Sequence, residues 1–216
     1  GMDRRVLREI AQFSGLTCAQ QSVRSCGILM VQGLVNSFGT VVMAAFAAAV
    51  KIDSFADMPV QDFGNAFSTF IAQNYGAGKK DRIKAGIKSA VMVSIAFCIM
   101  ISLVVWIFAE KLMLIFVQPQ ETGILAVGVQ YLRIEGAFYC GIGCLFLLYG
   151  RYRAVRKPGM SVVLTVISLG TRVALAYVLS AVPAIGVAGI WAAVPIGWVL
   201  ADLVGFLYYG KVRREM

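Results

Sequence analysis

Val35 to Thr40 reads VNSFGT, and Lys51 to Arg82 reads KIDSFADMPVQDFGNAFSTFIAQNYGAGKKDR. The stretch sets Asp53, Asp57, Asp62, several amides and Pro59 among residues that are otherwise apolar and numerous enough to cross a bilayer. Groups of this kind are costly in lipid, so they must line something else.

Working outward, the rest of the chain agrees with a membrane environment. Of 216 residues 59% are hydrophobic and only 14% charged, and the mean hydropathy is +0.79. A soluble domain is nearer half apolar and a quarter charged. A hydrocarbon core of ~30 Å takes about 20 helical residues to cross, and Ser89 to Ala109 does so without a single charge. The pattern predicts an all-α integral membrane bundle of six transmembrane helices: Gly15–Phe38, Val41–Tyr75, Ala85–Ala109, Leu125–Tyr149, Met160–Ala181 and Val187–Tyr209. A basic N-terminal segment, residues 1–14, precedes the membrane lobe of residues 15–209, and a tail of residues 210–216 follows it. Turn signals separate the spans, from Ser37-Phe38-Gly39-Thr40 onward. The second span is too long for one perpendicular crossing, and Pro59 to Gly64 reads as a break that would expose backbone carbonyls to a cavity.

The basic residues orient these spans. Arg4, Arg5 and Arg8, then Lys79 to Lys88, Arg151 to Lys157 and Lys211 to Arg214 all fall at one end of the six-helix map, whereas the opposite loops carry only Lys111. Both termini are therefore expected in the cytoplasm, in a multi-pass protein of the plasma or inner membrane. The net charge of +9 is then a topology signal, and the short, divided clusters do not suit nucleic acid.

Absences narrow the chemistry. With no histidine in the chain, imidazole relays and Ser-His or Cys-His catalysis are excluded. No GxxxxGK[ST] phosphate loop is present. The five cysteines, Cys18, Cys26, Cys98, Cys140 and Cys144, form no CxxC pair and read as small apolar residues in helices. Neither an enzyme nor a resident metal or cofactor is expected.

The NSFGT turn, followed by Lys51-Ile52-Asp53, a proline, and then Gln73-Asn74-Tyr75-Gly76-Ala77-Gly78-Lys79, resembles the second-lobe signature of the multidrug and toxic compound extrusion (MATE) transporters. The resemblance runs from about Leu16 to Tyr209 and implies the C-terminal six-helix lobe of a twelve-helix, two-lobe transporter. It implies a secondary antiporter that exports drugs or organic cations in exchange for H+ or Na+. The chain is then a piece of a longer protein or a half-length product, and pairs with an N-terminal lobe or with a second copy. The lipid bilayer and a small-molecule substrate are its other partners.

Asp53 takes the place of the aspartate in the family's R/K-I-D motif, which implies an ion-coupling role. Asp57 lies one turn further on, and Glu135, where relatives are usually apolar, is a second candidate proton site. Arg24 and Asp53 lie about equally far from the Phe38 turn, so an antiparallel hairpin would allow Arg24 to pair with Asp53 or Asp57. Relatives commonly show glutamine at the places of Gln20 and Gln32. Those two, with Asn36 and Asp62, are candidate substrate-binding residues, although amides serve helix-to-helix bonds equally well. Arg133 and Arg172 come out near mid-depth as structural anchors for a carboxylate or a helix C-terminus, and Asp202 near the cytoplasmic end is expected to pair with a loop cation or reach water.

The alternatives are a lipid-linked oligosaccharide flippase, which would need a long basic cavity, and a non-transporting structural subunit in which every buried charge is paired.

Overall fold

The computed structural model describes residues 3–155 and 157–215. Among them are eight helices and no strand: α1 (Arg4–Asn36), α2 (Thr40–Gly76), α3 (Lys80–Ile107), α4 (Ala109–Met113), α5 (Thr122–Gly136), α6 (Tyr139–Ala154), α7 (Pro158–Ser180) and α8 (Val187–Glu215). The short α4 sits in the turn after α3, and α5 with α6 forms one span bent by 51°. With α5 and α6 taken as one bent span, the long helices correspond one to one with the six expected passages.

By length and composition α3, α7, α8 and the bent pair α5–α6 can each cross a membrane. α1 and α2 are longer still, at 33 and 37 residues, but they carry the polar residues noted above. The ends of the bundle differ from the sequence map. α1 begins at Arg4 and α8 runs to Glu215, so much of the basic segment at each terminus prolongs a spanning helix.

Two expectations about breaks are corrected. α2 is continuous through Pro59, because proline removes one backbone hydrogen bond while the flanking turns keep theirs. The break lies instead at Ala137 and Phe138, within the span expected to be a single helix from Leu125 to Tyr149. No proline marks it.

α2 is the central element, packed on α3, α5 and α6, while α8 fits against α5, α6 and α7. α1 leaves α2 after the Gly39 turn, where φ is +101°, and lies mainly along α7. Its buried residues are few, Gly27, Val31 and Val35. The core between α2, α5 and α8 is aromatic. Phe46 stacks on Trp191 at 5.5 Å and Tyr131 meets Trp191 edge-on at 4.9 Å.

Small residues bring backbones together where lipid gives no hydrophobic drive for helix association. A Cβ on Gly197 of α8 would lie 2.5 Å from the Ser168 carbonyl oxygen of α7, and one on Gly150 of α6 would lie 2.8 Å from the Gly64 carbonyl oxygen of α2. Gly197→Ala should therefore push α7 and α8 apart and cost about 1–3 kcal/mol. Gly170→Ala, with nothing within 4 Å of its new methyl, should be neutral. Thermal unfolding in detergent compares the two, and equal melting temperatures would mean that the close approach is not needed.

Candidate functional site

The bend between α5 and α6 is built around Asp53. Tyr131, Glu135 and Tyr139 recur every fourth residue and so form one stripe. On a straight helix that stripe would stretch the outer two about 12 Å apart along the axis. With the bend, both phenols reach one carboxylate: Tyr139 Oη donates to Asp53 Oδ1 at 2.6 Å and Tyr131 Oη to Asp53 Oδ2 at 3.3 Å. Tyr131 is held in turn by Phe46 and Trp191.

Glu135 lies between the two tyrosines, 1% exposed, and its Oε1 has no hydrogen-bond partner among the described residues. Asp53 and Glu135 are neighbours, and each carboxylate opposes the charge of the other. Arg172 of α7 is within electrostatic reach of Asp53, Asp57 and Glu135, and its Nε is buried without a hydrogen-bond partner among the described residues. Arg172 is thus the one guanidinium near all three carboxylates, with Arg24 a second countercharge for Asp57 alone. Lys51 adds nothing to that balance, because its ammonium sits over the Phe116 ring, 5.6 Å from the centroid.

Arg24 is placed differently from the hairpin expectation. It is exposed and makes no hydrogen bond to Asp53 or Asp57 among the described residues, although Asp57 feels its charge. The reason is the path of α1, which lies along α7 rather than alongside α2. Arg24 instead lines a polar cavity of about 90 Å³ with Gln20, Gln21, Gln61, Asn65 and Arg153. Gln20 also accepts a 3.3 Å hydrogen bond from Ser161 of α7.

The other candidates are scattered. Gln32 donates to Asn36 one turn along α1 at 2.8 Å, so these two amides satisfy each other away from the carboxylates. Asp62 is exposed. Arg133 is exposed and stacks on Trp106, 4.8 Å from the centroid, rather than meeting a carboxylate. Asp202 is 7% exposed, and its Oδ1 has no hydrogen-bond partner among the described residues. It thus has neither the loop cation nor the access to water expected of it, because α8 turns it toward α6 near Gly141.

Sequence reasoning missed the convergence of Tyr131 and Tyr139 on Asp53. The four-residue spacing from Tyr131 through Glu135 to Tyr139 was the available signal. Tyr139→Phe should destabilise the protein by about 1–3 kcal/mol, since it removes the shorter bond to a part-buried carboxylate. Tyr131→Phe should cost less, its bond being longer. Unfolding in detergent measures both, and the reverse order would show that Tyr139 is not the principal donor.

A family model described as MatE matches residues 17–178. Probable multidrug resistance protein YpnP of Bacillus subtilis (strain 168) is 35% identical over 192 residues, covering 88% of this chain and 42% of that protein. Probable multidrug resistance protein YoeA of the same organism is 24% identical, covering 99% and 46%. The crystal structure of a MATE protein in complex with MaL6 superposes with a TM-score of 0.90 at 19% identity, covering 99% of this chain and 48% of that one. The chain spans less than half the length of these relatives, and its helices follow one lobe of the solved transporter. Matched by the family model over most of its length and built as such a lobe, this multi-pass membrane chain belongs to the MatE family.

Proposed function

We propose that this chain is one lobe of a secondary multidrug exporter, in which Asp53, Glu135 and Asp57 couple the outward movement of drugs or organic cations to the inward movement of H+. The observation that carries the proposal is the shortage of positive charge at the α5–α6 bend. Three carboxylates have two guanidinium groups near them, Arg172 and, on the side of Asp57, Arg24, and a buried group of like charges that outnumbers its countercharges needs a further cation to be stable. A proton suits the place, since it removes one of two neighbouring negative charges at Asp53 and Glu135. Na+ is the other candidate. Among the described residues, however, no three Asp, Glu, Cys or His side chains converge as metal ligands do.

The coupling group lies inside the lobe, whereas Gln20, Gln21, Gln61 and Asn65 line the polar cavity between α1, α2 and α6. In this reading, protonation repacks the α5–α6 bend against α2, and α2 carries the change to the cavity wall. Export itself needs two lobes that rock about a midplane site, so the functional unit includes an N-terminal lobe or a second copy. The basic clusters favour both termini in the cytoplasm, and the multidrug resistance names of the relatives support the substrate class. Arg24 and Arg153 favour a second reading of the substrate, because the polar cavity has two guanidinium groups and, among the described residues, no carboxylate in its lining. An anionic or zwitterionic compound would meet them better than a simple cation.

Dye efflux from cells carrying the complete transporter, under an imposed pH gradient, tests both. Asp53→Asn should abolish efflux while membrane abundance stays unchanged, and unchanged efflux would remove Asp53 from coupling. Efflux of anionic dyes, lost in Arg24→Gln, would select the second reading. Cationic efflux indifferent to Arg24 would reject it.

A further inference from the structure

The end of the bundle that carries the basic clusters holds another cavity, of about 440 Å³, between the ends of α2, α3, α6 and α8. Lys80, Lys84 and Lys88 enter its lining from the first turns of α3. Their four-residue spacing sets three ammonium groups along one helix face. Arg151 of α6 completes the set from inside. It is 8% exposed, its guanidinium stacks on the Tyr209 ring at 4.3 Å, and its Nη1 is buried with no hydrogen-bond partner among the described residues.

Among the described residues, none that lines this cavity is acidic. Asp81 is in the first turn of α3, but it is exposed and does not line the cavity. A buried guanidinium N–H without an acceptor costs free energy that an incoming acceptor would recover. Three lysines at the mouth and an arginine fork within make a good match to phosphate oxygens. Ile83 and Ile87 form an apolar wall beside them, which a free inorganic ion would not use. The site also lies at the ends of membrane-spanning helices, where headgroups are found, and basic pockets between such helices suit anionic lipids.

We propose that this cavity binds the phosphate headgroup of an anionic lipid, with Arg151 as the buried ligand and Lys80, Lys84 and Lys88 around its mouth. The site is separate from the carboxylate cluster and does not depend on what the transporter exports. Occupied, it would tie α3 to α6 and α8 at the membrane surface.

Native mass spectrometry of the complete transporter in detergent tests this by titration with phosphatidylglycerol, phosphatidylcholine and inorganic phosphate. Phosphatidylglycerol should bind more tightly than phosphatidylcholine and resist competition by inorganic phosphate. Lys84→Gln with Lys88→Gln, two exposed positions that leave the packing intact, should weaken phosphatidylglycerol roughly tenfold. Arg151→Gln should weaken it further, and if that variant fails to fold, the lysine pair alone decides. Unchanged affinity in the lysine pair, or equal affinity for both lipids, would overturn the proposal. Displacement by inorganic phosphate would reassign the cavity to a soluble phosphate and overturn the lipid reading.

Discussion

A carboxylate inside a helical membrane bundle has to find donors or a countercharge, and the way Asp53 finds them shapes this lobe. Tyr139 and Tyr131 both donate to it, which requires two tyrosines eight residues apart to converge on one point of α2. A straight helix does not allow that. The 51° bend between α5 and α6 does, and the aromatic packing of Phe46, Tyr131 and Trp191 holds α5, α2 and α8 in the matching arrangement. Once α2 is committed to this contact, the small residues Gly64 and Gly150 let α6 continue along it at close range.

The same constraint separates two environments. Within the lobe, Glu135 is closed off from water beside Asp53, and Arg172 is the cation that faces them. On the flank, Arg24, Gln20 and Arg153 line a small polar cavity, while the lipid-type surface of α3 is left exposed from Met92 to Ile107. α2 borders both environments, carrying Asp53 on one side and Gln61 and Asn65 of the cavity lining on the other. Bent or interrupted helices near a site are a common device of transporters.

The helices themselves were legible in the sequence because spans of about 20 apolar residues have few readings, and the NSFGT turn and the motif around Asp53 pointed to the architecture. What the sequence concealed was local. Pro59 looked like a break but is absorbed within α2, whereas the actual break at Ala137 and Phe138 has no proline and falls beside Tyr139, whose phenol bonds Asp53. Arg24 was assigned a partner on the assumption that consecutive helices pack side by side. α1 lies along α7 instead, and loop connectivity does not encode that choice. Arg172 could be placed near mid-depth from its sequence position, but its proximity to three carboxylates depends on how α7 packs. The cavity around Arg151 draws on α3, α6 and α8 at once, so no single stretch could announce it.

Proton exchange on substrate binding tests the central claim most directly. The complete transporter, purified in weakly buffered detergent with a pH-sensitive dye, is mixed with an exported compound and the released protons are counted. If the cluster at the bend couples transport by exchanging a proton, the unaltered protein releases protons and the Asp53→Asn and Glu135→Gln variants release fewer or none while still binding the compound. Equal proton release from all three proteins would contradict the account.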